Sequence, residues 1–149
     1  MHHADAVGPA VDPQRPLSSV GLAQADDVAA RAKAAGAMPA EIWHSGKLRA
    51  RQTAEAYLRA CNPFAAFRMT RGLLPEDPPE MIGVVLDAET RDVMVVGHMP
   101  HMAGLAARLA GANANFPLHG AICFERTGGG AWKELWRLAP GSVHTETRR

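Results

Sequence analysis

Apolar and polar positions alternate between two periods along the chain. Pro9, Pro13 and Pro16 make residues 7–17 a loop, after which Ser18 or Ser19 can cap a helix. The alanine-rich run that follows places Leu22, Ala25, Ala29 and Ala32 on one face and ends at Gly36, which predicts a helix. Glu41-Ile42-Trp43-His44 predicts a short strand, and residues 47–61 an amphipathic helix. Pro63, Pro75, Pro78 and Pro79 break the next stretch, leaving room for one short strand between Ala65 and Met69. Met81, Ile82, Val85 and Leu86 then recur at helical spacing. Val93-Met94-Val95-Val96 is apolar without alternation, the pattern of a strand covered on both faces in a parallel sheet. Pro100 fits the first turn of a helix running to about Ala110. Residues 121–126 and 131–138 read as two strands joined through Thr127-Gly128-Gly129-Gly130, a hairpin connection. Trp43, Trp132 and Trp136 are expected to pack the sheet, the last two on one strand face.

This order predicts an α/β domain spanning residues 1–149, a three-layer α/β/α sandwich with a mostly parallel sheet. In such a fold reactive groups gather at the carboxyl ends of the strands. Three polar segments fall at such junctions: His2-His3, His44 to Arg49, and His98.

Composition narrows the classes without choosing among them. Of 149 residues, 47% are hydrophobic and 21% charged, the balance of a globular protein. No apolar run is long enough to span a membrane. Sixteen Lys and Arg against fifteen Asp and Glu leave a net charge of +1, which argues against broad nucleic-acid binding but allows a local basic pocket. Cys61 and Cys123 show no metal-binding spacing and read as inert thiols. The first residues lack a signal-peptide pattern, so a cytoplasmic location is expected. The glycine-rich tetrapeptide is a turn, because no helix follows it to cradle a phosphate.

Taken singly, His3, Arg49 and His98 are unremarkable: a solvated terminal histidine, a helix-surface arginine, a structural strand-end histidine. Together they form an ordered set: His3-Ala4-Asp5-Ala6, then Arg15-Pro16-Leu17-Ser18-Ser19-Val20-Gly21, then Ser45-Gly46-Lys47-Leu48-Arg49-Ala50-Arg51-Gln52-Thr53, then Gly97-His98-Met99-Pro100. Four motifs in this order resemble the histidine phosphatase superfamily, and among its branches the SixA-like phosphohistidine phosphatases. The resemblance runs from His2 to the final hairpin and implies the phosphoglycerate mutase-like form of the α/β fold.

It also implies a reaction. A phosphoryl group carries nearly two negative charges, so fixed cations should surround it. His3 would be the nucleophile, attacking phosphorus as a neutral imidazole and becoming a phosphohistidine that water hydrolyses. Its other ring nitrogen should donate to a backbone carbonyl to fix the tautomer. Arg49 and His98 would hold the phosphoryl oxygens, with His2 and Arg15 as further contacts. Glu76, in a proline-bounded loop, is the weakly favoured general acid, and Asp5 is another carboxylate beside the nucleophile. No cofactor or metal is required. Forty-eight residues between Arg49 and His98 leave no room for a large lid. An open site suits a phosphohistidine on a partner protein, with a small phosphate ester as the alternative.

The chain departs from the family pattern in three places. His2 stands where the family has arginine, which predicts activity lowered or shifted toward acid pH. Gly46 replaces a proline. Only Met1 precedes His2 where the family has an apolar strand, so the first strand is expected to be truncated, most simply by a misplaced start codon. Two rival readings follow: a phosphate-binding relative without turnover, and a metal-dependent hydrolase built on His2, His3 and Asp5 or on His98 and His101. Outside these sets His101, His119 and His144 are expected at the surface or hydrogen-bonded.

Overall fold

The computed structural model describes residues 1–111 and 115–141; His144 lies outside them. Four helices and five strands follow in chain order: α1 (Ser19–Ala34), β1 (Glu41–His44), α2 (Leu48–Cys61), β2 (Ala66–Met69), α3 (Pro79–Ala88), β3 (Val93–Val96), α4 (His101–Ala110), β4 (Ala121–Arg126) and β5 (Trp132–Leu138). Strands β2, β1 and β3 form a parallel sheet with β1 central, and β4 and β5 pair as an antiparallel hairpin. Every element anticipated from the periodicity is present. No described helix is long and apolar enough to cross a membrane.

Alternating side chains of the sheet feed two apolar layers, as the period of a strand requires. Ile42 and Val96 pack with Ala25, Val28 and Ala29 of α1 and Ala54 and Tyr57 of α2. Trp43 turns the other way, against Ile82 and Leu86 of α3 and Met102 and Leu105 of α4. The small residues of α1 and α2 permit close helix packing, and Gly21 shows why one had to be glycine. A β-carbon there would stand 1.9 Å from the Asp5 carbonyl oxygen. That approach turns Leu22 outward, where it is 48% exposed, so the predicted Leu22 contact fails and Val28 takes its place in the core.

The N-terminal residues run alongside β3. The Met1 amine donates to the Val95 carbonyl, the Gly97 N–H to the Met1 carbonyl, and the His3 N–H to the Gly97 carbonyl. On the other side the His2 N–H donates to the Gly120 carbonyl, just before β4. This short segment therefore stitches the parallel sheet to the hairpin by one parallel bridge, His2 to Gly97. Behind Met1 the two halves part. A cavity of about 540 Å³ lies between them, lined among others by Met1, Val93, Val95, Ile122, Phe124 and Trp136. Burial drives the Met1 amine down to about 5.

Trp136 packs against the layer of α1 and α2 and Trp132 against that of α3 and α4, so the two do not share one face as expected; a bulge between Cys123 and Phe124 shifts the pairing between them. Both cysteines are free thiols.

Candidate active site

His3 enters the site at the end of the N-terminal segment, level with the carboxyl ends of β1 and β3. Thr53 holds it there. The Ala4 N–H donates to Thr53 Oγ1 at 3.0 Å, and that hydroxyl donates to the Arg49 carbonyl at 2.9 Å. Gln52 accepts the Leu17 N–H at 2.7 Å, and Ser18 caps α1 while donating to Asp5 at 2.6 Å. The polar residues of the motifs are thus the fasteners that tie loop 7–17 and the N-terminal segment to α2. Asp5 is part of this frame.

The His3 ring has the predicted tautomer. Its Nδ1 lies 2.7 Å from the Ala4 carbonyl oxygen, which can only accept, so Nδ1 carries the proton and Nε2 keeps its lone pair. Burial, opposed by that hydrogen bond and reinforced by Arg49, His119 and Arg15, lowers its pKa to about 4. A neutral imidazole at neutral pH is the nucleophilic form.

Arg49 rises from the first turn of α2, and its Nε–H is buried without a partner. Burial and the nearby Arg15 hold its pKa below the ordinary value. Arg15, half-buried with Nε donating to the Val7 carbonyl at 2.9 Å, acts on both Arg49 and His3. Two guanidiniums therefore converge on His3.

His98 ends β3 with its ring 5.1 Å from that of His3. Its Nε2 shares a 2.6 Å hydrogen bond with Ser45 Oγ, and its buried Nδ1 has no partner. Burial and the surrounding cations push it down to about 3, so it is neutral in the free protein. Gly46, in the place of the family's proline, has φ +93°, a value proline cannot adopt. Any β-carbon there would also meet Met69 Sδ at 2.6 Å.

Two expectations change. His2 does not gain charge at mildly acid pH: burial, followed by the neighbouring His3 and His119, lowers its pKa to about 2. The predicted acid shift through a cationic His2 therefore has no support. Glu76 is exposed and makes no hydrogen bond or ion pair among the described residues. Its neighbour Asp77 is used up in the turn, accepting the Leu74 N–H. His101 is buried at the head of α4, not at the surface.

His119 was expected to be a surface or hydrogen-bonded residue; it is hydrogen-bonded, and it lies in the site. Its ring stacks on His2, with centroids 4.8 Å apart and planes 10° from parallel, and stands 6.2 Å from His3. No motif pointed to it, because it follows a segment without periodicity. One ring nitrogen from each of His2, His3 and His119 lies within 4.8 Å of the others, which is the one candidate metal cluster among the described residues. The electrostatics oppose a dication there: Arg49 and Arg15 both act on His3, and His2 Nδ1 already accepts the His119 N–H at 2.8 Å. The donor set fits an anion better.

No protein-family model matches the chain, and no curated protein matches it in sequence. Solved structures do. The protein histidine phosphatase SixA complexed with tungstate superposes with a TM-score of 0.84 at 24% identity over 94% of both chains. A structure assigned to the phosphohistidine phosphatase SixA of Agrobacterium tumefaciens gives 0.80 at 26% identity, over 94% of this chain and 95% of that one. An Escherichia coli structure assigned to an α-ribazole-5′-P phosphatase gives 0.68 at 14% identity, over 91% and 92%. The chain thus has the phosphoglycerate mutase-like fold of the histidine phosphatase superfamily, with SixA phosphohistidine phosphatases among the structures it resembles.

Proposed function

We propose that the protein is a phosphatase that removes the phosphoryl group from phosphohistidine on a partner protein, through a covalent intermediate on His3. The carrying observation is the His3 ring itself: Nδ1–H anchored on the Ala4 carbonyl, Nε2 unprotonated, and the unpartnered Arg49 guanidinium nearby. Likeness to SixA phosphohistidine phosphatases supports phosphatase activity and agrees with that choice of substrate.

In the first step His3 Nε2 attacks phosphorus and the bond to the substrate's imidazole nitrogen breaks. That nitrogen departs with a proton from solvent, so no dedicated carboxylic acid is needed. Arg49 and Arg15 stabilise the charge on the equatorial oxygens, and His98, backed by Ser45, donates to them in this reading. Water then attacks the phosphorylated His3. The P–N bond breaks, inorganic phosphate leaves, and His3 regains its neutral form because Nδ1 kept its proton throughout. Only the remainder of α2, then β2, α3 and β3 and their connections lie between Arg49 and His98, so no inserted domain covers the site. A protein-borne phosphohistidine suits that openness.

Acid-quench trapping tests the reading. With a phosphohistidine-bearing protein and with a small phosphate ester, the parent is expected to carry acid-labile phosphate that His3→Ala lacks. Faster turnover of the ester would favour the small-molecule alternative. Oxyanion binding without labelling or turnover on either substrate would indicate a phosphate-binding relative.

A further inference from the structure

Arginine at position 2 would give the site a third permanent cation. The buried His2 cannot replace it, since burial keeps the ring neutral. We propose that His119 supplies the missing positive charge, taking up a proton as a phosphoryl group binds and donating from Nε2 to one of its oxygens. This inference rests on the phosphoryl-site reading above.

The hydrogen bonds assign the protons. His119 Nδ1 lies 2.8 Å from the His3 carbonyl oxygen, so Nδ1 is the protonated nitrogen. The remaining nitrogen, Nε2, makes no hydrogen bond among the described residues, and the ring is half-buried, open to solvent on one side. In the neutral ring Nε2 presents a lone pair, which repels a phosphoryl oxygen. Protonation converts it into a charged donor without disturbing the bond to His3, because Nδ1–H is present in both forms. His2 differs: Nδ1 accepts the His119 backbone N–H, so a proton there would break that bond. Of the two stacked rings, His119 is the one built to gain charge.

The groups facing His119 agree with that assignment. They are His2 and His3 of the N-terminal segment, and His3 in turn is acted on by Arg49 of α2 and Arg15 of the first loop. Among the described residues no carboxylate hydrogen-bonds or ion-pairs with His119. An anion bound beside Nε2 favours the charged ring, so protonation and anion binding are coupled. The backbone adds an independent sign of constraint. His119 has φ +57°, a left-handed conformation that a non-glycine residue adopts at some cost. Holding it there points the N–H at His2 and the ring at His3.

Calorimetric titration with tungstate near pH 7.5, in two buffers of different ionisation enthalpy, measures the protons taken up on binding. The parent is expected to take up a measurable fraction of a proton. His119→Asn keeps the backbone N–H and tolerates the left-handed conformation, but cannot titrate; it is expected to lose that uptake and to bind tungstate roughly tenfold or more weakly. Ring ¹⁵N shifts of the parent give a second reading that needs no variant: His119 should move to the imidazolium range when tungstate is added. Uptake undiminished in His119→Asn, or a His119 resonance that stays neutral, would overturn the inference while leaving the phosphoryl site intact. Failure of the parent to bind tungstate at all would overturn the phosphoryl-site reading and this inference with it.

Discussion

The two ends of the N-terminal segment are held differently. At its carboxyl end, His3, Ala4 and Asp5 are fastened by Gly97, Thr53, Gln24 and Ser18, through backbone and side-chain hydrogen bonds at once. At its amino end Met1 reaches Val95 and then leaves the 540 Å³ cavity between β3 and β4. The same contrast separates two neighbouring strands: β1 is buried along its whole length, whereas Val93, Met94 and Val95 of β3 are only half-buried. A strand alternates its N–H and C=O groups between its two neighbours, and Met1 pairs with β3 only through Val95 and Gly97. The site can be well formed above a half-buried strand because its geometry is set by side-chain fasteners local to the motifs.

The largest effect should come from breaking the tight end at its charge. Arg49→Leu is expected to cut turnover of a phosphoryl substrate about a hundredfold or more, the usual consequence of losing one preorganised donor, with the fold retained by circular dichroism. Gly21→Ala attacks the frame instead. The new β-carbon meets the Asp5 carbonyl, and a loss of about 3 kcal/mol in denaturant unfolding is expected. Thr53→Ala leaves the Ala4 N–H without its acceptor and should cost about 2 kcal/mol by the same measurement.

The loose end should respond in the opposite direction. Four apolar β-branched residues added ahead of Met1 are expected to pair with β3 and raise the melting temperature, while four serines should not. Equal melting temperatures would show that the cavity does not accept a strand. The smallest effect is reserved for Leu22→Ser, expected within about 0.5 kcal/mol of the parent, since α1 turns that side chain to solvent.

Acid compares the two ends at once. His2, His3 and His98 have pKa values of about 2, 4 and 3 in the folded protein, each lowered chiefly by burial. The unfolded chain binds protons at these histidines first as pH falls below about 6.5. Stability should therefore be full above that pH and decline steadily toward pH 4 and below. Melting curves across this range check the sign, and a bound oxyanion should reduce the slope by favouring the charged rings.

Much of this was legible in the chain. The alternation of helical and strand periods sufficed for nine elements and their order, since each period reflects a local geometry and one buried face. The four motifs located His3, Arg49, Arg15 and His98, because their spacing is tied to strand ends and to the first turn of a helix. Even the departure at Gly46 has a local cause, a positive φ that rules out proline. Other features were decided only by packing. Which way Leu22 turned depended on the approach of α1 to the Asp5 carbonyl, a contact between segments far apart in sequence. The charge state of His2 depended on burial, which no residue carries in its own identity. His119 entered the site only because the turn before β4 comes to rest beside the N-terminal segment, 116 residues away along the chain. Local periodicity and motif spacing specify elements and the groups at their ends; the protonation and company of those groups are set by long-range contacts that exist only once the chain has closed on itself.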